Sequence, residues 1–173
     1  MRKVPEVLSL WVKTRLLRGA HWLICSKCLK YVNPAIYSEI SKEKVVLEFC
    51  PEENGQLVYG KIASMIRSSK PSKITVVTID GSPHCLTLQA AVNEAVYIVG
   101  EKVEKEHYVL VDGEELIKIS PEAIRVSRYL SLVDKLVKEN PWVLEELKKH
   151  SLEYALALKI KDAEMKPRKS EDN

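Results

Sequence analysis

The stretch Ile74-Thr75-Val76-Val77-Thr78-Ile79-Asp80-Gly81-Ser82-Pro83-His84-Cys85 decides the fold class. Its first six residues are apolar or β-branched and too few for a helix, so they read as a buried strand. Asp80-Gly81-Ser82-Pro83 is a turn by composition. From about Cys85 to Val99 the residues Leu88, Val92, Ala95, Val96 and Val99 share one helical face, and Gly100 stops the helix. The same order stands just upstream. Val45-Val46-Leu47-Glu48-Phe49 is a short apolar run closed by Cys50-Pro51, and proline cannot continue a central ladder. From Glu53 to Ser69 the residues Leu57, Val58, Ile62, Met65 and Ile66 recur at helical spacing until Pro71 forbids extension. Strand, helix, strand, helix is the signature of a parallel sheet flanked by helices.

Outward from this centre the pattern changes. His107 to Val111, then Asp112-Gly113, then Glu114 to Ile119 predicts a β-hairpin, placed at the sheet edge. Ser120-Pro121-Glu122 opens a helix with a cap, a first-turn proline and an early carboxylate. Asn140-Pro141 ends it and starts a last helix running to about Lys161. At the other end, Val7 to Leu17 reads as a short amphipathic helix ended by Gly19. The expected fold is therefore α/β: a small three-layer sheet with parallel strands, an edge β-hairpin and C-terminal helices. Residues 1–161 are expected to form one domain, with a helical segment at 121–161 and a polar, disordered tail at 162–173.

Composition sets limits on function. A chain of 173 residues with 46% hydrophobic residues fills one ordinary core. Lys plus Arg (27) nearly balance Asp plus Glu (24), and a net charge of +3 is too mild to imply nucleic acid. The basic runs at Lys13 to Arg18 and Lys166 to Lys169 read as solvated surface. Scarce Gln beside abundant Lys, Glu, Ile, Val and Leu leans towards a thermophilic source. Glu6, Lys13 and Arg15 interrupt any apolar stretch near the start, so neither a signal peptide nor membrane insertion is expected, and a cytoplasmic location is.

In a reducing compartment, thiols argue for metal or redox chemistry over structural bridges. The chain has four: Cys25-Ser26-Lys27-Cys28, then Cys50-Pro51, then His84-Cys85. Each falls where an element is expected to end. Cys50 and Cys85 lie at or just past the carboxyl ends of neighbouring strands, the edge where parallel sheets bind ligands. A helix N-terminus behind Cys85 favours the thiolate that a metal requires. Four thiols can close a tetrahedral zinc site or hold one iron-sulfur cluster. Structural zinc more often uses two C-x-x-C knuckles, and one knuckle joined by two isolated cysteines tilts the reading towards iron-sulfur. A dithiol redox pair at Cys25 and Cys28, or unligated buried thiols, stay open as alternatives. His84 is a candidate outer-shell donor or substitute ligand, whereas His107 and His150 read as structural. No phosphate-cradling glycine loop, nucleophile elbow or acid/base carboxylate pair is present, so no catalytic residue is assigned.

Cys25-Ser26-Lys27-Cys28, Phe49-Cys50 and the strand ending in Asp80-Gly81-Ser82-Pro83-His84-Cys85 resemble archaeal 4Fe-4S ferredoxin-like proteins. More distantly, the order is similar to the small iron-sulfur delta subunit of hydrogenase and heterodisulfide reductase complexes. The resemblance covers roughly residues 22 to 99. It implies Cys25, Cys28, Cys50 and Cys85 as ligands of a cluster, 4Fe-4S favoured over 2Fe-2S, with electron transfer to a redox partner protein as the activity. The delta subunit carries a further cysteine in a Gly-Cys-His run at its second turn, where this chain has only His84-Cys85. The rival expectations are a structural zinc in an interaction module and a thiol-disulfide oxidoreductase using the C-x-x-C pair.

Overall fold

The computed structural model describes residues 4–55, 58–100 and 102–164. Leu57, the basic run at 166–169 and the expected tail from 165 onward lie outside the described residues; the first three residues of the tail expected at 162–173 are helical, continuing the last helix to Glu164. Four strands run parallel: β1 (His21–Ser26), β2 (Val45–Phe49), β3 (Lys73–Ile79) and β4 (Glu104–Val111). β5 (Glu115–Ile119) pairs antiparallel with β4 and closes the order β2-β1-β3-β4-β5. The hairpin turn has Asp112 at φ 49° and Gly113 at φ 77°, with the Glu114 N–H on the Val111 carbonyl at 3.0 Å. Positive φ at both central residues is what a type I′ turn needs.

The connections fill both faces. Between β1 and β2 come α1 (Leu29–Val32) and α2 (Pro34–Ser41); between β2 and β3 come α3 (Pro51–Asn54) and α4 (Val58–Ser69); α5 (Pro83–Val99) joins β3 to β4. Strand alternation divides the core accordingly. Trp22, Ile24, Leu47, Phe49, Ile74 and Val76 pack with α4 and α5, whereas Leu23, Cys25, Val77 and Leu110 face Leu29 and α2. The step from β1 to β2 runs opposite to the steps from β2 to β3 and β4. With right-handed crossovers, that reversal puts α1 and α2 on one face and α4 and α5 on the other. The expected three-layer α/β architecture with an edge hairpin is thus present.

Four segments differ from the sequence expectation. The helix expected over Glu53 to Ser69 is not continuous: α3 ends at Asn54 with Gly55 at φ 62° as its cap, and α4 begins at Val58. Val7 to Leu17 forms two 3₁₀ turns, η1 (Val7–Ser9) and η2 (Arg15–Leu17), in place of a helix. Its carbonyls are taken by distant side chains: Lys61 Nζ donates to Leu10 O, Ser69 Oγ to Val12 O at 2.7 Å, and Trp22 Nε1 to Leu17 O at 2.9 Å. Carbonyls satisfied in this way have no need of the i+4 amide. The helix opened at Ser120 divides into α6 (Pro121–Val126) and α7 (Leu130–Glu139). The last helix divides at Ser151, in extended backbone, into α8 (Trp142–His150) and α9 (Leu152–Glu164).

The chain forms two compact units, Met1–Tyr129 and Leu130–Asn173. The first holds the sheet, α1 to α6 and every fully buried residue described. The second holds α7 to α9, and none of its described side chains is fully buried. Among the described residues no helix is long and apolar enough to cross a membrane.

Candidate functional site

The strands that end at Cys50 and lead to Cys85 are not the neighbours expected from sequence: β1 pairs with both and lies between β2 and β3, so the strand order reverses between β1 and β3. Chains leaving neighbouring strands there diverge to opposite faces and open a crevice at their carboxyl ends. The turns after β1, β2 and β3 all meet this edge. The Lys27 N–H donates to the Phe49 carbonyl at 3.1 Å and ties the first turn to the end of β2. After β3, Ser82 caps α5: its hydroxyl accepts the Cys85 N–H at 3.3 Å, with Pro83 in the first helical position. α5 therefore begins two residues ahead of Cys85 and places that thiol in its first turn. The Cys85 Sγ lies 3.1 Å from Ser26 Oγ, both buried, on the α5 side of the sheet.

The four cysteines have four environments, and no two of them are joined as a disulfide. Cys28 is exposed and precedes α1; Cys50 is half-buried and precedes α3; Cys85 is buried. Burial raises the Cys28 thiol above its ordinary pKa, and the neighbouring Cys85, Cys50 and Glu52 charges act in the same sense. These three thiols thus share one electrostatic neighbourhood. Cys25 does not join them. It lies inside β1, opposite Glu48 and Val77, with its side chain among Leu23, Leu29, Val77 and Leu110. One residue later Ser26 points to the other face, so alternation along β1 turns Cys25 away from Cys85. Burial pushes the Cys25 thiol far up, and the Glu48 charge adds to the shift. Glu48, itself 3% exposed, accepts from Lys30 Nζ at 2.7 Å and from the Tyr37 hydroxyl at 2.9 Å.

His84 occupies the first turn of α5, half in solvent, with Nδ1 3.8 Å from a Glu52 carboxylate oxygen at the start of α3. Lys27 binds Glu53 at 2.7 Å and Glu6 at 3.2 Å across the same edge. Among the described residues, no three His, Cys, Asp or Glu side chains already surround a point where a single metal ion would sit. The donors at this edge are nevertheless soft thiols with one imidazole beside them, a set suited to zinc or iron-sulfur chemistry.

Two residues of this edge escaped the sequence reading. Ser82 carried a usable signal, since serine before proline at a strand end marks a helix cap. Ser26 carried none, because its place beside Cys85 depends on the register of β1 against β3.

A family described as a Rossmann-like domain matches residues 14–164. No curated protein and no solved structure matches the chain.

Proposed function

From the premise that this chain belongs to the family of Rossmann-like domains, we propose that it is an iron-sulfur protein serving electron transfer with a redox partner protein in a reducing, cytoplasmic setting. The observation that carries this reading is topological. The turns after three successive strands each bring a thiol, Cys28, Cys50 and Cys85, to the carboxyl edge at the switch point. Those three are the ligands of the proposal. Cys25 faces the opposite core, so the fourth position falls to His84, the nitrogen donor on the turn that carries Cys85. When bound, such a cluster accepts and returns single electrons. The chain's own part is to hold it at the sheet edge and to set the charge around it, with Lys27 between Glu6 and Glu53 and the Ser26 hydroxyl beside the Cys85 sulfur.

Anaerobic reconstitution with ferrous iron and sulfide tests the reading. The wild type is expected to retain iron, acid-labile sulfide and a visible absorption band after desalting. Cys50→Ser and Cys85→Ser should lose them and Cys25→Ala should keep them. Wild-type protein that emerges colourless and free of both elements overturns the proposal.

One observation favours a second reading. Three thiols and one imidazole make up the Cys₃His donor set of structural zinc. Stoichiometric zinc in protein purified without oxygen, with no iron, would establish that alternative. A dithiol mechanism at Cys25 and Cys28 draws no support from two thiols of which one is sealed in the core.

A further inference from the structure

On the α5 side of the sheet a cavity of about 520 Å³ opens between the carboxyl ends of β3 and β4, the edge strand β5 and the first turns of α5 and α6. This volume lies within the range of small-molecule sites, roughly 300–1,000 Å³. Its walls are apolar, with Val109, Val111, Ile119 and Ile124 among them. Leu86 and Ile117 at the lining are 46% and 39% exposed, so apolar surface is left to water there. The walls are tied in place. Glu94 on α5 receives Arg125 at 3.0 Å and Arg128 at 2.6 Å, and Asn93 Nδ2 donates to the Pro121 carbonyl at 3.0 Å.

The polar groups lining this cavity have a definite sense. Gln89, 1% exposed, has Nε2 at 2.8 Å from the Tyr108 carbonyl and 2.9 Å from Thr78 Oγ1, and its Oε1 at 2.7 Å from His107 Nδ1. A carbonyl only accepts, so the Gln89 nitrogen donates in both bonds and its oxygen accepts from a protonated His107 Nδ1. Thr78, also 1% exposed, is then an acceptor towards Gln89. Its hydroxyl proton meets no acceptor among the described residues. A buried donor without a partner is costly, and an oxygen brought by a ligand would relieve it.

We propose that this cavity binds a neutral, mainly apolar small molecule of about two fused rings, carrying a carbonyl-type oxygen that accepts the Thr78 hydroxyl. Charge is selected against. Among the described residues no cationic side chain lines the cavity, Asp80 at the rim repels anions, and a cation would give up its water to apolar walls. The cavity shares Ser82 and Pro83 with the turn that carries Cys85, but its ligand does not depend on a metal at the thiol edge.

The probe is prodan, a neutral propionyl-dimethylaminonaphthalene whose emission moves to the blue in apolar surroundings, titrated into the full chain. Saturable binding at one site per chain is expected. Thr78→Val should weaken it about tenfold, the loss of one hydrogen bond, and leave the ketone-free dimethylaminonaphthalene unaffected. Ala123→Trp, which fills the cavity, should abolish binding of both. In case a variant fails to fold, methyl-labelled wild type gives an independent reading, with shifts expected at Val109, Ile117, Ile119 and Ile124. Non-saturable binding, equal loss for both probes in Thr78→Val, or methyl shifts centred on α7 to α9 would each overturn the assignment.

Discussion

Cys25 and Cys28 stand three residues apart and meet opposite surroundings, because β1 continues through Cys25 and ends at Ser26. The Cys25 thiol behaves as a small core hydrophobe beside Leu29 and Val77, whereas Cys28 is open to solvent. Their reactivities should separate widely. In native protein free of metal, iodoacetamide should label Cys28 first and Cys25 last, after global unfolding, as read by mass spectrometry of digests. Labelling of Cys25 at the rate of Cys28 would contradict its place in the core. Cys25→Ser should cost roughly 1–3 kcal/mol in urea denaturation, since it buries a hydroxyl among apolar side chains. Cys28→Ser should stay within about 0.5 kcal/mol of wild type. The spacing C-x-x-C made the pair legible as a motif. Which face each thiol took was not legible, because it depends on where the strand stops.

Among the elements, α5 carries the most, since it supplies Cys85, Gln89, Asn93 and Glu94 to three neighbourhoods. Its start is set locally by Ser82 and Pro83 and its end by Gly100 at φ 67°, a left-handed cap that suits glycine. Ser82→Ala should lower stability by about 1 kcal/mol and Ser82→Asp should restore most of it. Chemical denaturation of the three proteins decides the matter, and equal midpoints would remove the capping argument. The N-terminal segment shows the opposite balance. Its apolar spacing suits a helix, but Lys61, Ser69 and Trp22 take its carbonyls. Helices of this length are marginal alone, so tertiary partners decide.

For the whole molecule one pH dependence comes from His107, fully buried on β4 between Val76 of β3 and Ile119 of β5. Burial, with Lys105 next in effect, lowers its pKa to about 4. Gln89 faces it from α5, where Asn93 binds Lys105. The folded value lies below the unfolded one, about 6.5, so the unfolded chain takes up a proton first as pH falls. The stability tied to the neutral ring is complete above about pH 6.5 and is lost between there and about pH 4, a total of roughly 3 kcal/mol. His21, lowered by burial and by Lys44 and Lys73, acts in the same direction. Urea midpoints at pH 7 and pH 4.5 should therefore differ more in wild type than in His107→Phe, and equal differences would refute this account. The sequence by itself determined the α/β class, the alternation of strand and helix from Val45 to Val99, the hairpin and the turns that carry Cys50 and Cys85, because apolar period, β-branching, proline and glycine act within a few residues. Only the tertiary structure decided that Cys25 leaves the edge, that the N-terminal segment unwinds, that the chain divides at Tyr129 and that Thr78, Gln89 and His107 align beside a cavity. Those outcomes depend on register and on partners tens of residues away, and competition among long-range contacts cannot be summed from local preference.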